Sequence, residues 1–226
     1  MFHVKHPLSL KQVLEFVSHT GIIVSPEAQS KLDLYAQLIQ NWAKRQNLIS
    51  HGDRQHINER HFLPSFFLLS RLNPSHGSRL LDIGSGTGFP AVVLKIVHPE
   101  LVVTAIDSSR KKCLFLKEVD ERLRLKLNVV NQRIEVFNTQ NTIEFDYATS
   151  RAVTNLKDLW DWVQPVLKSS GRLIALKGGE INRDVQALKT QGVNCGIYRV
   201  DTLWTNFSPY LNGKFLVELE IGHDRK

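Results

Sequence analysis

The stretch LLDIGSGTGFP, residues 80 to 90, constrains the fold of this 226-residue chain more than any other. A short apolar run ends at Gly84, and Gly86 and Gly88 follow at every second position, with Ser85 and Thr87 between them. Glycines so placed let the backbone turn sharply and approach a ligand with no Cβ in the way, and Pro90 suits the first turn of a following helix. A strand, a glycine turn and a helix in that order open a βαβ unit, whose ligands sit beyond the carboxyl ends of the strands, where the strand order reverses. The next strand-like run, LVVTAID, ends in Asp107, 23 positions after Gly84 and near the separation at which a carboxylate accepts hydrogen bonds from ribose hydroxyls. A ribose-bearing cofactor is therefore expected.

The dinucleotide fingerprint GxGxxG needs a third glycine where this chain carries Phe89. The observed pattern is GxGxG, led by Asp82 two places before the first glycine. That arrangement fits S-adenosylmethionine better than a nicotinamide dinucleotide, with the amino acid part over the glycines and the ribose meeting Asp107. Nicotinamide-dependent oxidation and a non-enzymatic RNA-binding module remain as alternatives.

Before the glycine turn the chain reads as helical. Leu10, Val13, Leu14, Phe16 and Val17 recur at helical spacing and stop before Gly21, which suits the position just past a helix end. Ser25 and Pro26 match an N-cap and a first helical residue, and Leu34, Leu38 and Trp42 fall on one face. Asp53 is expected to cap a third helix, DRQHINERHF, which Pro64 should break or restart. From Arg79 onward, β-branched apolar runs alternate with amphipathic stretches, the signature of βαβ units and a parallel sheet covered on both faces. Near the C-terminus, CGIYRVDTLWT and KFLVELEI read as two strands with no room for a crossover helix, hence an antiparallel hairpin at the sheet edge. The expected division is a helical cap over 1–75 and an α/β core over 76–226.

Bulk properties bound the function. Cys113 and Cys195 stand far apart, with no CxxC pair and no histidine cluster, so neither a disulfide framework nor a metal site is signalled. The beginning of the chain has no apolar leader core and no run reaches membrane-span length, so a cytoplasmic protein is expected. Lysine and arginine outnumber aspartate and glutamate by 29 to 22, a net charge of +7, which favours a polyanionic partner.

In order and spacing, the blocks WAKRQNLIS, INERHFLPS, LLDIGSGTGFP, AIDSSRKKCLFLKEV, NQRIEVF, FDYATSRAVTNL and GRLIALKGGE resemble one family. These are the bacterial small-subunit (16S) ribosomal RNA guanine-N7 methyltransferases, long called glucose-inhibited division protein B, and the resemblance runs from about residue 30 to 220. It implies a class I methyltransferase fold: a Rossmann-like, mostly parallel seven-stranded sheet with a C-terminal antiparallel hairpin and an N-terminal helical extension. It also implies S-adenosylmethionine as donor, 16S ribosomal RNA or the small ribosomal subunit as partner, and a monomer. By the same resemblance Gly84 and Phe89 contact the cofactor, Ser85, Gly86 and Gly88 shape the loop, and Asp107 and Ser108 face the ribose. Ile134 and Glu135 of RIE flank the adenine, and Arg151 of SRA closes the pocket at the methyl-transfer point. The chain departs from the family where Ala43 replaces asparagine, Pro64 replaces aspartate, Ala91 replaces glycine, Lys214 replaces arginine and Glu220 replaces lysine. An arginine changed to lysine forfeits bidentate recognition of phosphate or carboxylate.

Guanine N7 carries a lone pair and no proton, so the transfer needs alignment rather than a general base. TSRAVT stands where enzymes that methylate adenine's amino group carry Asn/Asp-Pro-Pro-aromatic, and no Pro-Cys nucleophile is present. Ring-nitrogen and ribose-oxygen transfer both remain, the second kept open by Lys177. RNA must be held by charge and by its exposed bases. Arg60, His61, Arg110, Lys111, Lys112 and Lys177 are the candidates, with Lys44 and Arg45 beside them. Trp42, Trp160 and Trp162 fall at core-like helical positions rather than as stacking platforms.

Overall fold

The computed structural model describes residues 7–46, 48–140, 142–151 and 153–222. The first six residues, read above for a leader, and Ala152 of the SRA block lie outside them.

Five parallel strands arise from the apolar runs that follow Arg79: β1 (Arg79–Ile83), β2 (Val102–Ile106), β3 (Asn128–Val130), β4 (Phe145–Arg151) and β5 (Leu167–Gly178). Between them run the crossover helices α5 (Ala91–Val97), α6 (Arg110–Leu123), α7 (Ile134–Gln140) and α8 (Leu156–Val163). Helices on both faces leave the central strands no wet side, and β1 and β2 are accordingly buried at every position but the first. The sheet has seven strands in the order β3-β2-β1-β4-β5-β7-β6, completed by β6 (Val193–Arg199) and β7 (Lys214–Ile221). β7 is antiparallel to both its neighbours, so it inserts between β5 and β6 and leaves β6 alone at the edge.

The expected C-terminal pair is therefore present, with one correction to its extent. Val193–Arg199 is strand, but the DTLWT part of the same run turns into a short helix, α10 (Thr202–Phe207), between β6 and β7. Asp201 caps it, its Oδ1 accepting from the Trp204 amide at 3.2 Å. The helix then lays Trp204 and Phe207 on Phe16, with ring centroids 5.1 and 4.0 Å apart. A good cap and two aromatic contacts outweigh the weak strand preference of this polar run. One more helix, α9 (Asn182–Thr190), joins β5 to β6.

Among the described residues four α-helices precede the sheet: α1 (Leu10–His19), α2 (Pro26–Arg45), α3 (His51–Gln55) and α4 (Leu63–Leu69). α1 begins with a capping box between Ser9 and Gln12 and stops before Gly21 at φ +86°. α2 starts as expected, the Ser25 hydroxyl accepting from the Ala28 amide and Pro26 opening the first turn. Its buried face is rotated from the expected one: Leu34 is 38% exposed, whereas Ala28, Leu32, Tyr35, Leu38, Ile39 and Ala43 are buried. Trp42 is half-buried at the flank of this face, and its indole N–H donates to Glu118 of α6 at 2.8 Å.

The third helical segment also differs. Ser50, not Asp53, is the N-cap, its hydroxyl accepting from the Asp53 amide at 3.1 Å. α3 lasts only five residues, and a π-helical turn, Asn58–Phe62, then leads directly into α4 with Pro64 in its first turn. Proline has no N–H for the carbonyl four residues back and its ring crowds that carbonyl, so a wide turn ahead of Pro64 is the physical outcome.

Leu32, Tyr35, Phe62 and Phe66 from these helices share one hydrophobic core with Leu80, Val92 and Phe115 of the sheet and its crossovers. The boundary expected near residue 75 falls in the turn between α4 and β1. Leu81, Leu159, Trp160, Leu173 and Val217 form the core on the opposite face.

Candidate active site

In the order β2-β1-β4 the chain reverses direction across the sheet at β1, which opens a crevice beyond the carboxyl ends of these strands. There the backbone turns through Gly84, Gly86 and Gly88 at φ +65°, +59° and +97°. Their duties differ. A Cβ at Gly84 would lie 2.5 Å from a methyl of Val153 on the cleft wall, and one at Gly88 would lie 2.4 Å from a methyl of Val92 and 2.8 Å from the Tyr35 hydroxyl. At Gly86 nothing stands closer than 3.8 Å.

Asp107, at the end of β2, ties the loop down. Its Oδ2 accepts from the Gly86 amide at 2.9 Å, and its Oδ1 accepts from the Ser109 amide at 2.8 Å. A carboxylate has about four acceptor sites, so room remains for a diol. The ammonium of Lys112 lies 3.7 Å away. These groups border a cleft of about 390 Å³ that brings together Gly84, Asp107, Ser108, Ile134, Glu135 and Arg151, with Ile83, Ile106 and Trp162 as apolar wall. Apolar flanks for a flat base, a carboxylate for a diol and a bare glycine backbone are what an adenosine-bearing donor requires, so the residues fit S-adenosylmethionine.

Four of the expected cofactor residues do not line this cleft. The buried Ser85 donates its hydroxyl to the Asp82 carbonyl at 2.9 Å, and Gly86 and Gly88 set the loop's path. The ring of Phe89, a residue expected at the cofactor, turns inward. It is 3% exposed and packs among Tyr35, Phe62 and His61, with ring centroids 5.1, 5.0 and 5.1 Å away. An aromatic ring gains more by burial against α2 and the π turn than by facing water at a rim. Tyr35, fully buried below the loop, donates its hydroxyl to the Thr87 carbonyl at 2.5 Å.

Arg151 ends β4, and the helical segment before the sheet holds it in place. Its Nη1 donates to the Arg60 carbonyl at 2.7 Å, and its Nη2 donates to Nδ1 of His61 at 2.6 Å. Arg60 is four residues before Pro64, which has no N–H to offer that carbonyl. Burial, and then the charge of Arg151, push the His61 pKa down to about 3. The imidazole is thus neutral at physiological pH, with Nδ1 as acceptor, and its Nε2 is buried with no partner among the described residues. Beneath the loop, burial raises the Asp82 pKa to about 6, against the hydrogen bond its Oδ1 accepts from Thr149 at 2.8 Å.

On the far side of Arg151 a second cleft opens, of about 650 Å³. Asp53, Arg60, His61, Lys177, Tyr210 and Lys214 line it together with Arg151, so this one arginine borders both clefts. Lys214 Nζ lies 4.7 Å and Arg60 Cζ 5.6 Å from the Tyr210 ring centroid. Lys177 donates to the Thr154 carbonyl, and burial lowers its pKa.

The RNA candidates therefore separate. Arg60, His61 and Lys177 share the second cleft, whereas Lys112 belongs to the first. Arg110 is exposed and Lys111 half-buried at the start of α6, and neither lines either of these two clefts. Lys44 and Arg45 are exposed at the end of α2, and Lys44 borders a separate apolar groove with Ile39 and Ile49. Ala43 and Ala91 are buried, and Glu220 pairs with Arg172 at 3.7 Å. Cys113 and Cys195 are free thiols, and the described residues hold no cluster suited to a metal.

Sequence reasoning missed Trp162, Asp53 and Tyr210, and read Lys214 only as a departure. The sequence places Trp162 in the core with Trp160, but two positions along a helix turn it to another face: Trp160 is buried, whereas Trp162 is half-buried and lines the first cleft. Asp53 was assigned to a cap. Tyr210 lies in the irregular link between β6 and β7, and Lys214 opens β7 at its end, where no periodicity signals position.

The family model for rRNA small subunit methyltransferase G matches residues 28–203. The chain belongs to the rRNA small subunit methyltransferase G family. As a member it is a methyltransferase. Among its relatives, the ribosomal RNA small subunit methyltransferase G of Acholeplasma laidlawii is 32% identical over 165 residues, covering 73% of this chain and 72% of that one. That of Desulfitobacterium hafniense is 37% identical over 172 residues, covering 75% and 71%. The fold is shared more widely. The fibrillarin/Nop5p complex matches with a TM-score of 0.57 at 15% identity, over 74% of this chain and 84% of that chain. An rRNA methylase from Streptococcus thermophilus matches at 0.52 and 15% identity, over 71% and 95%. The class I fold and the seven-stranded sheet expected from sequence are thus both observed. No helix among the described residues is long and apolar enough to cross a membrane.

Proposed function

We propose that this chain transfers the methyl group of S-adenosylmethionine to N7 of a guanine in small-subunit ribosomal RNA. The observation that carries the reading is the position of Arg151 as the shared wall of the two clefts, one fit for adenosine and the other basic. When bound, S-adenosylmethionine supplies a methyl group on a positively charged sulfur. The chain's own residues bind and orient. Asp107 and Ser108 would hold the ribose, Ile106, Ile134 and Glu135 would flank the adenine, and Gly84 would leave space for the amino acid part.

N7 attacks with its own lone pair and loses no proton, so the second cleft needs no base. The groups near the junction agree. His61 is neutral but its acceptor nitrogen is committed to Arg151, and Asp82 is sealed beneath the loop and borders neither cleft. Arg60, Lys177 and Lys214 supply the positive charge that holds flanking phosphates. The substrate is the small subunit or its 16S RNA, the enzyme acts as a monomer in the cytoplasm, and residues 1–75 form its helical cap.

Purified protein incubated with methyl-labelled donor and small-subunit RNA from cells lacking this activity provides the test. Mild acid then releases the label as 7-methylguanine if the base nitrogen was modified. Label that stays on the sugar would replace this reading with ribose transfer, and no incorporation into RNA or subunits would remove it.

A further inference from the structure

The second cleft holds one feature that phosphate binding does not use. Four of its lining side chains are cationic, Arg60, Lys177, Lys214 and Arg151, yet Asp53 stands among them as a carboxylate. A carboxylate repels the RNA backbone, and a cleft built for phosphates alone has no use for one. Guanine is asymmetric in the matching sense: N7 and O6 on one edge accept hydrogen bonds, while N1–H and the 2-amino group on the opposite edge donate. We propose that Asp53 selects guanine by accepting from N1–H and the 2-amino group while the N7 edge faces Arg151. This inference rests on the guanine-N7 reading above.

The carboxylate is held and only half used. Its residue's amide donates to the Ser50 hydroxyl at 3.1 Å, which fixes the backbone. Its Oδ2 accepts from that hydroxyl at 2.6 Å, and its Oδ1 accepts from Arg60 Nη1 at 2.9 Å. One bond to each oxygen leaves two of about four acceptor sites, enough for the paired donors of guanine. The side chain is 29% exposed. Partial burial works against its charge, but the hydrogen bonds from Ser50 and Arg60 hold the carboxyl below the usual carboxylate range, so it is ionised at neutral pH. Adenine would set its own N1 lone pair against this group and be rejected. Arg60 links the two ends of the arrangement, since its guanidinium grips Asp53 while its carbonyl grips Arg151.

The test uses full-length protein and small-subunit RNA in which the guanosine methylated by the wild type is kept or replaced by inosine, which lacks only the 2-amino group. Losing one hydrogen bond to a charged acceptor lowers kcat/KM about 10-fold or more. Wild type should therefore favour guanosine over inosine by that factor, and Asp53→Asn should bring the ratio close to one. Affinity for S-adenosylhomocysteine, read by calorimetry, should be unchanged in Asp53→Asn, showing the first cleft intact. An Asp53 that merely braces Arg60 would slow both substrates equally and leave the ratio as in wild type, which overturns the proposal. Equal rates of wild type on guanosine and inosine would also overturn it while leaving the guanine-N7 reading in place. Failure of wild type to form 7-methylguanine at all would remove both.

Discussion

Gly88→Ala should be the most damaging single-methyl change in the loop, and the structure gives its size. The residue sits at φ +97°, where a Cβ costs about 1–2 kcal/mol in backbone strain. The added carbon would also lie 2.4 Å from Val92 Cγ2, 2.8 Å from Tyr35 Oη and 2.9 Å from Leu116 Cδ2. All three belong to buried residues, so nothing at the surface can yield. Overpacking of this kind costs about 1–3 kcal/mol. The sum, about 2–5 kcal/mol, is a large share of the 5–15 kcal/mol typical of a domain. Gly86→Ala supplies the control. At φ +59° it carries similar backbone strain but meets nothing closer than 3.8 Å, so it should cost only about 1–2 kcal/mol. Urea denaturation of both variants against wild type isolates the packing part as their difference. Equal destabilisation by the two would refute the assignment of Gly88 to packing.

Four further outcomes follow from the same geometry. Arg151→Lys keeps the charge but can reach only one of the Arg60 carbonyl and His61 Nδ1, so stability should fall by about 1–3 kcal/mol and methyl transfer by about 100-fold, read by denaturation and single-turnover kinetics. His61 titrates near 3 in the folded chain and near 6.5 unfolded, so the unfolded state takes the proton first and stability is lost as pH falls below 6.5. At pH 5 the loss is about 2 kcal/mol, which His61→Asn should abolish in denaturation curves taken at pH 7 and 5. Asp82 has the opposite sign: its folded pKa, near 6, lies above the unfolded 3.8, so its contribution is lost as pH rises through that window, and Asp82→Asn should steepen the acid destabilisation that wild type shows between pH 6 and 4. Because Tyr35 and Phe62 share a core with Leu80 and Phe115, fluorescence of Trp42 and far-UV circular dichroism should report one coincident unfolding transition, whereas two separated midpoints would make the helical cap an independent domain.

The parts of the fold legible in the sequence were those governed by local rules. Ser25-Pro26 signals a helix start whatever surrounds it, and a glycine run after LLDI signals a strand, a turn and a helix, because only glycine tolerates the backbone required there. Asp107 was legible for a related reason, since chain spacing alone carries it to the end of the neighbouring strand. What stayed hidden depends on tertiary competition. The place of the Phe89 ring is one case, since the hydrophobic pocket between Tyr35 and Phe62 that captures it is built from distant parts of the chain. Leu34 and Leu38 look equivalent by spacing, but α2 is rotated by the burial of Tyr35 and Leu32. The π turn has no sequence periodicity of its own, and Pro64 pointed only to an interruption. That interruption is what presents the Arg60 carbonyl to Arg151, a contact spanning 91 residues that no local pattern encodes.

The central claim is that the adenosine-shaped cleft and the basic cleft meet at Arg151 in order to methylate N7 of a guanine. N7-methylguanosine in RNA is cut selectively by borohydride reduction followed by aniline, so primer extension along small-subunit RNA maps each such site. RNA from cells deleted for this chain should lack one scission that returns when the wild-type gene is restored and does not return with the Arg151→Ala variant. Identical scission maps with and without the chain would contradict the account.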